Sequence, residues 1–138
     1  MHIYYTDGSC SPNPGPGGFA VIKDGEPVAL GHDRDSTNIR MEGMALIAAL
    51  KHADGVECTI YTDSEFWINV ITNWSIAWEA NGWQKKGGIK NLDIVQEVCP
   101  LYRTSNATLT WVRAHVGTEG NELADEWANK ARQEHLSL

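Results

Sequence analysis

The longest apolar run in the 138 residues, around Ala45 to Leu50, is far too short for a helix to cross a bilayer. The opening Met1-His2-Ile3-Tyr4 has no basic region leading into an apolar one, so no export signal is read. Cysteine is sparse: Cys10, Cys58 and Cys99 are odd in number and show no C-x-x-C spacing. Neither a disulfide framework nor a zinc site is signalled, and a reducing cytoplasm suits the three thiols. No G-x-x-x-x-G-K-[ST] loop is present, and the proline-rich stretch after Asp7 has no lysine, which disfavours a phosphotransferase of that class. Basic excess is also missing. The net charge of −7 weighs against a nucleic-acid partner, which normally requires a cationic face. Four acids gathered around divalent cations would leave −3 elsewhere and reverse the local sign, so net charge alone does not decide the partner.

What the chain does contain is a repeated signal. Tyr5-Thr6-Asp7 and Tyr61-Thr62-Asp63 each close an apolar run and read as a strand ending in an aspartate. In α/β proteins the carboxyl edge of the sheet is where ligands and metals collect. The length fits one domain, residues 1–138, with a monomer as the default expectation. Strands are expected over His2 to Asp7, Gly17 to Lys23 and Pro27 to Asp33, the last two joined by an Asp24-Gly25 type I′ hairpin. A helix from Thr37 to Ala53 follows, with Ser36 or Thr37 as its N-cap. Next come a strand from Cys58 to Thr62, a helix from Ser64 to Asn73 and a helical protrusion from Trp74 to Asn91 with a flexible tip. A helix from Asn91 to Tyr102, broken near Pro100, a strand from Thr108 to Arg113 and a final helix from Glu119 to Glu134 complete the chain. The pattern predicts an α/β fold in which a three-strand antiparallel meander is extended by two parallel strands and flanked by helices, with the crossover helix permitting parallel pairing of the first and fourth strands.

Two further carboxylates fall on helical stripes that face the sheet. Glu42 has Ala45, Leu46, Ala49 and Ala53 at i+3, i+4, i+7 and i+11. Asp125 borders the arc of Leu123, Ala124, Trp127, Ala128 and Ala131. Each alone has an ordinary explanation: a glutamate near a helix start, a solvated acid, or an aspartate capping a turn. Asp7, Glu42, Asp63 and Asp125 together read as an oxygen-only ligand set, which fits Mg²⁺ or Mn²⁺ better than zinc. Two such ions roughly 3.5–4 Å apart would activate a water and stabilise a leaving oxygen in phosphodiester hydrolysis. His115, in the glycine-containing segment Ala-His-Val-Gly-Thr-Glu-Gly, is placed to shuttle a proton to the leaving group.

Over nearly its whole length the chain resembles a type 1 ribonuclease H. The resemblance rests on Tyr5-Thr6-Asp7-Gly8-Ser9-Cys10 continuing to Asn13-Pro14-Gly15-Pro16-Gly17-Gly18, then Thr37-Asn38-Ile39-Arg40-Met41-Glu42, Tyr61-Thr62-Asp63-Ser64, His115-Val116-Gly117 and Asn121-Glu122-Leu123-Ala124-Asp125. It implies the ribonuclease H-like fold and an endonuclease that cuts the RNA strand of an RNA/DNA hybrid with two Mg²⁺ ions, leaving 5′-phosphate and 3′-hydroxyl ends. By the same resemblance the four metal-binding acids are Asp7, Glu42, Asp63 and Asp125, and the mobile histidine is His115. Cys10, Asn13, Asn38 and Glu65 would line the minor groove near ribose 2′-hydroxyls, the group that tells RNA from DNA. Thr37 and Asn91 would grip a phosphate of the DNA strand, and Trp74 and Trp78 would stack on its sugars. Ordinary core packing is the alternative for both tryptophans.

The departures from that family concern charge. Glu65 stands where glutamine is common, and Glu79 and Ala80 stand where the protrusion usually carries lysines, leaving Lys85, Lys86 and Lys90. Weaker and less salt-dependent hybrid binding is expected. Two other readings compete: a non-catalytic hybrid- or RNA-binding module, whose expected loss of an acid is not seen, and a protein that binds a divalent cation for structure and docks partners through its tryptophans.

Overall fold

Short apolar strands alternating with helical stripes can bury their apolar faces only by stacking helices on a sheet. The structure, a computed structural model, describes residues 1–113 and 119–138. One five-stranded sheet runs β3-β2-β1-β4-β5, built from β1 (Ile3–Cys10), β2 (Gly15–Lys23), β3 (Glu26–Ser36), β4 (Cys58–Thr62) and β5 (Ala107–Trp111). The first three strands form an antiparallel meander, and β1, β4 and β5 pair in parallel. At Asp24-Gly25 both φ angles are positive, 54° and 78°, as the type I′ turn requires.

The helices are α1 (Asn38–Ala53), α2 (Glu65–Asn69), α3 (Ser75–Ala80), α4 (Leu92–Arg103) and α5 (Glu119–Glu134), with a π-helical turn, Val70–Trp74, between α2 and α3. Thr37 caps α1, its side chain accepting from the Arg40 N–H, and Ser64 caps α2 in the same way toward Trp67. The α1 stripe proposed from spacing is buried at Ala45, Leu46, Ala49 and Ala53. Leu46, Ala49 and Ala53 join Tyr4, Ile60, Trp67, Val95 and Val98 in the larger apolar core, while α5 seals a smaller one of Ala20, Leu30, Ala128 and Ala131 on the other face.

Three expectations need correction. β1 does not end at Asp7: it continues to Cys10 because β2 pairs with it as far as Cys10↔Gly17. The protrusion is helical only to Ala80; beyond it Gly82, Trp83, Gly87, Gly88 and Asn91 all have positive φ, which a right-handed helix cannot accommodate. Nor does α4 break at Pro100. That proline and Gln96, whose carbonyl it leaves without a helical donor, are both exposed, so water can take the missing hydrogen bond. Among the described residues no helix is long and apolar enough to cross a membrane.

Trp67 is fully buried and donates from Nε1 to the Ile39 carbonyl at 2.7 Å, tying α2 to the first turn of α1. Trp67→Phe removes that donor and leaves a void, and should lower unfolding free energy by about 1–3 kcal/mol in urea titrations.

Candidate metal centre and its surroundings

The sheet order places β1 where the chain reverses its direction of travel across the sheet, the position at which α/β folds open a crevice. β1 and β4 are paired only from Ile3↔Thr59 to Tyr5↔Tyr61. Past that rung they part, and Asp7 lies two residues beyond it on β1 while Asp63 follows the end of β4. Glu42 enters from α1. Its approach depends on Gly8: a Cβ there would collide with the Glu42 backbone nitrogen and the Met41 backbone, so the glycine lets α1 lie directly on β1. One carboxylate oxygen from each of Asp7, Glu42 and Asp63 falls within 4.8 Å of the others. Asp125, on α5, is not one of these three, but it acts on Asp7 closely enough to raise its pKa.

The surroundings make these acids unusual. Asp7 is buried and accepts the Gly8 N–H at 2.9 Å. Desolvation, the Asp63 charge and the bond to Asp125 nonetheless hold its carboxyl far above the usual carboxylate range. Burial and the Asp63 charge push Glu42 up to about 7, against the opposing pull of a Ser64 hydrogen bond. Ser64 thus serves twice, as cap of α2 and as donor to Glu42. The Asp63 carbonyl accepts from Trp111 Nε1 at 3.3 Å, which fixes the β4–α2 corner from the side of β5. A half-buried cluster of oxygen donors whose negative charges are mutually unfavourable fits a hard divalent cation, which would supply the missing positive charge.

The expected substrate contacts separate into three places. Cys10 is buried with Sγ 3.2–3.4 Å from the carbonyls of Pro12, Gly15 and Ser36, so it braces the β1–β2 loop. Asn13 Oδ1 accepts the Asn38 N–H at 3.2 Å, joining that loop to the start of α1. Thr37 caps α1 and Asn91 Oδ1 accepts from Arg40 Nη1 at 3.2 Å, while Asp93 grips the same guanidinium at 2.7 and 3.0 Å. Arg40 therefore links Thr37 to Asn91. Glu65 is exposed at the first position of α2. Trp74 is 42% exposed and Trp78 half-buried, 6.3 Å apart between rings. They line a groove of about 460 Å³ with Phe66, Lys85, Lys86 and Lys90. Core packing accounts for Trp78 in part, since it rests on the main core, but not for Trp74. His115 lies outside the described residues.

Sequence reasoning missed Ser64 as a partner of Glu42, Trp111 as a brace on Asp63, and a polar cluster of Ser9, Asn129 and Arg132. A hydroxyl two residues after Asp7, and a polar residue one turn after Asp125, were the available signals for the last.

A family model described as RNase H matches residues 1–133. The ribonuclease H of Francisella philomiragia subsp. philomiragia is 45% identical over 135 residues, spanning 94% of this chain and 89% of that protein. That of Francisella tularensis subsp. novicida shows the same identity and coverage. Among solved structures, LC9-RNase H1, a type 1 RNase H with the type 2 active-site motif, superposes with a TM-score of 0.86 at 26% identity, over 99% of this chain and 74% of that one. The foamy viral protease-reverse transcriptase in complex with an RNA/DNA hybrid superposes at 0.79 over 96% of this chain and 20% of that one; at 18% identity it speaks for the fold alone.

Without metal the acids work against folding. Below about pH 4.5 Glu42 is protonated in folded and unfolded chains alike; between about 4.5 and 7 only the unfolded chain gives up the proton, so the metal-free fold loses stability across that window. Glu42→Gln removes the penalty. Metal-free Glu42→Gln should exceed the parent by about 1–3 kcal/mol at pH 8 in urea unfolding, with the difference vanishing near pH 4.

Proposed function

This chain belongs to the ribonuclease H family, and we propose that it is an endoribonuclease hydrolysing the RNA strand of RNA/DNA hybrids, acting as one catalytic domain and as a monomer in the cytoplasm. The observation that carries the proposal is the cluster of Asp7, Glu42 and Asp63 at the parting of β1 and β4, with Asp125 acting on Asp7 from α5. We assign those four carboxylates as ligands of two Mg²⁺ ions, with Mn²⁺ as a substitute. Bound there, the cations would supply Lewis-acid charge for attack of water on the scissile phosphate and for the departing 3′-oxygen, giving 5′-phosphate and 3′-hydroxyl ends.

The chain's own residues hold and orient. Gly8 lets α1 deliver Glu42, Ser64 keeps that carboxylate turned toward the crevice, and Trp111 holds the Asp63 corner. The Asn13–Asn38 link sets the β1–β2 loop beside the site, where Cys10, Asn13, Asn38 and Glu65 are assigned to the minor groove. Arg40 holds Asn91 near Thr37 for a backbone phosphate, and Trp74 and Trp78 offer aromatic faces flanked by lysines, the arrangement that binds a single strand by stacking plus charge. His115 is assigned as the proton shuttle to the leaving group.

Cation supply along the groove is thin. Lys85 stands 5.6 Å over the Trp78 ring, and Arg103 is taken up by an ion pair with Glu79. Few phosphates are then neutralised, so the slope of log affinity against log salt for a hybrid should be shallow, about −2 to −4 in binding titrations with Ca²⁺ in place of Mg²⁺. A slope near −8 would contradict this count.

An end-labelled hybrid incubated beside matched RNA/RNA and DNA/DNA duplexes, with Mg²⁺ or EDTA, tests the activity. Metal-dependent cutting of the hybrid's RNA strand alone is expected; retained hybrid binding with no cutting under any metal would favour a non-catalytic module. Asp63→Asn should abolish turnover with the fold intact, and His115→Ala should slow it without abolishing it, because a proton can also travel through water.

A further inference from the structure

Asp125 is the acid furthest from the others in the chain, so its place beside Asp7 depends on how α5 seats on β1. That seating is set by neighbours one step along both elements. Asp7 and Ser9 project from the same face of β1, being two residues apart, and Asp125 and Asn129 share a face of α5, being four apart. Two strand residues advance about 6.7 Å and four helical residues about 6 Å, so paired side chains at these spacings stay in step. The first rung of this ladder is the pair Asp7 and Asp125, whose side chains interact. The second is Ser9 Oγ donating to Asn129 Oδ1 at 2.6 Å.

Arg132 closes the second rung into a ring. Its Nε donates to Ser9 Oγ at 3.2 Å and its Nη2 to Asn129 Oδ1 at 3.2 Å. The helix can reach this depth because Gly18 of β2 lies beneath it: a Cβ there would strike the Arg132 backbone nitrogen and the Ala128 carbonyl oxygen. We propose that Ser9, Asn129 and Arg132 form a positioning latch that fixes the axial register of α5 on β1 and so carries Asp125 to the metal centre. A slip of one helical residue, about 1.5 Å, would carry Asp125 off its partner, and two carboxylates facing each other have no attraction that would prevent it. The latch is independent of metal and of protonation at the acids. It holds Asp125 in place whether or not cations are bound. Asn129 and Arg132 are thus positioning residues, and the inference rests on the ligand role proposed above for Asp125.

Three variants separate this from a purely structural role. Asn129→Ala cuts both bonds to Oδ1, Asn129→Asp keeps the acceptor and pairs it with Arg132, and Ser9→Ala removes the strand side of the rung. The readouts are the Mg²⁺ concentration for half-maximal hybrid cleavage, kcat and KM for hybrid at saturating Mg²⁺, and Mn²⁺ affinity by calorimetry, all well below the melting temperature of each variant. Asn129→Ala and Ser9→Ala are expected to raise the half-maximal Mg²⁺ concentration about 5- to 20-fold and lower kcat, with KM for hybrid within twofold of the parent; Asn129→Asp restores both. A fall in melting temperature with unchanged Mg²⁺ dependence and kcat would overturn the latch, as would a rise in KM alone, which would make the cluster a substrate contact. Should the parent cleave nothing, the activity proposal fails by itself. The calorimetric arm still decides the latch: weaker Mn²⁺ binding in Asn129→Ala, recovered in Asn129→Asp, supports it, and equal binding in all three overturns it.

Discussion

Carboxylate oxygens of Asp7, Glu42 and Asp63, held within 4.8 Å of one another in a partly desolvated crevice, set the terms for everything around them. Two full charges 4 Å apart at an effective dielectric of about 20 repel by about 4 kcal/mol, a large fraction of the 5–15 kcal/mol that stabilises a typical domain. The fold meets this cost without metal by keeping protons on the cluster, which is why Asp7 and Glu42 are displaced upward. The crevice is tolerable to the folded chain either protonated or filled with divalent cations, and the chemistry proposed for it belongs to the second state.

The rest of the architecture converges on that point from separate directions. Gly8 removes the side chain that would separate α1 from β1, Ser64 caps one helix while bonding the glutamate of another, and Trp111 reaches back from the edge strand to the β4–α2 corner. These supports come from segments distant in sequence, so the site forms only when the sheet has closed. Apolar burial supplies the driving force on both faces of the sheet.

Much of this could be read from residues in order. Tyr61-Thr62-Asp63 at the end of β4, the Asp24-Gly25 turn, the Thr37 cap and the Glu42 stripe each express a local rule, and each stands where the rule put it. What could not be read has a common cause. β1 runs past Asp7 because of its antiparallel partner, a long-range pairing that its own sequence does not announce. Pro100 stays helical because Gln96 faces solvent. The non-helical stretch after Ala80 follows from five positive φ angles, at Gly82, Trp83, Gly87, Gly88 and Asn91, only three of them at glycine. Side-chain bonds such as Arg40 to Asn91 and Ser9 to Asn129, 51 and 120 residues apart, exist only in the folded chain.

In the metal-free crevice, protons hold the place of metal. Calorimetric titration of the metal-free protein with Mg²⁺ at pH 7, repeated in buffers of different ionisation enthalpy, counts the protons expelled on binding. Release of about one or more protons per chain, falling toward zero near pH 10, is the expected result. Binding with no proton release at pH 7 would show that the acids are already ionised, and would contradict the account at its centre.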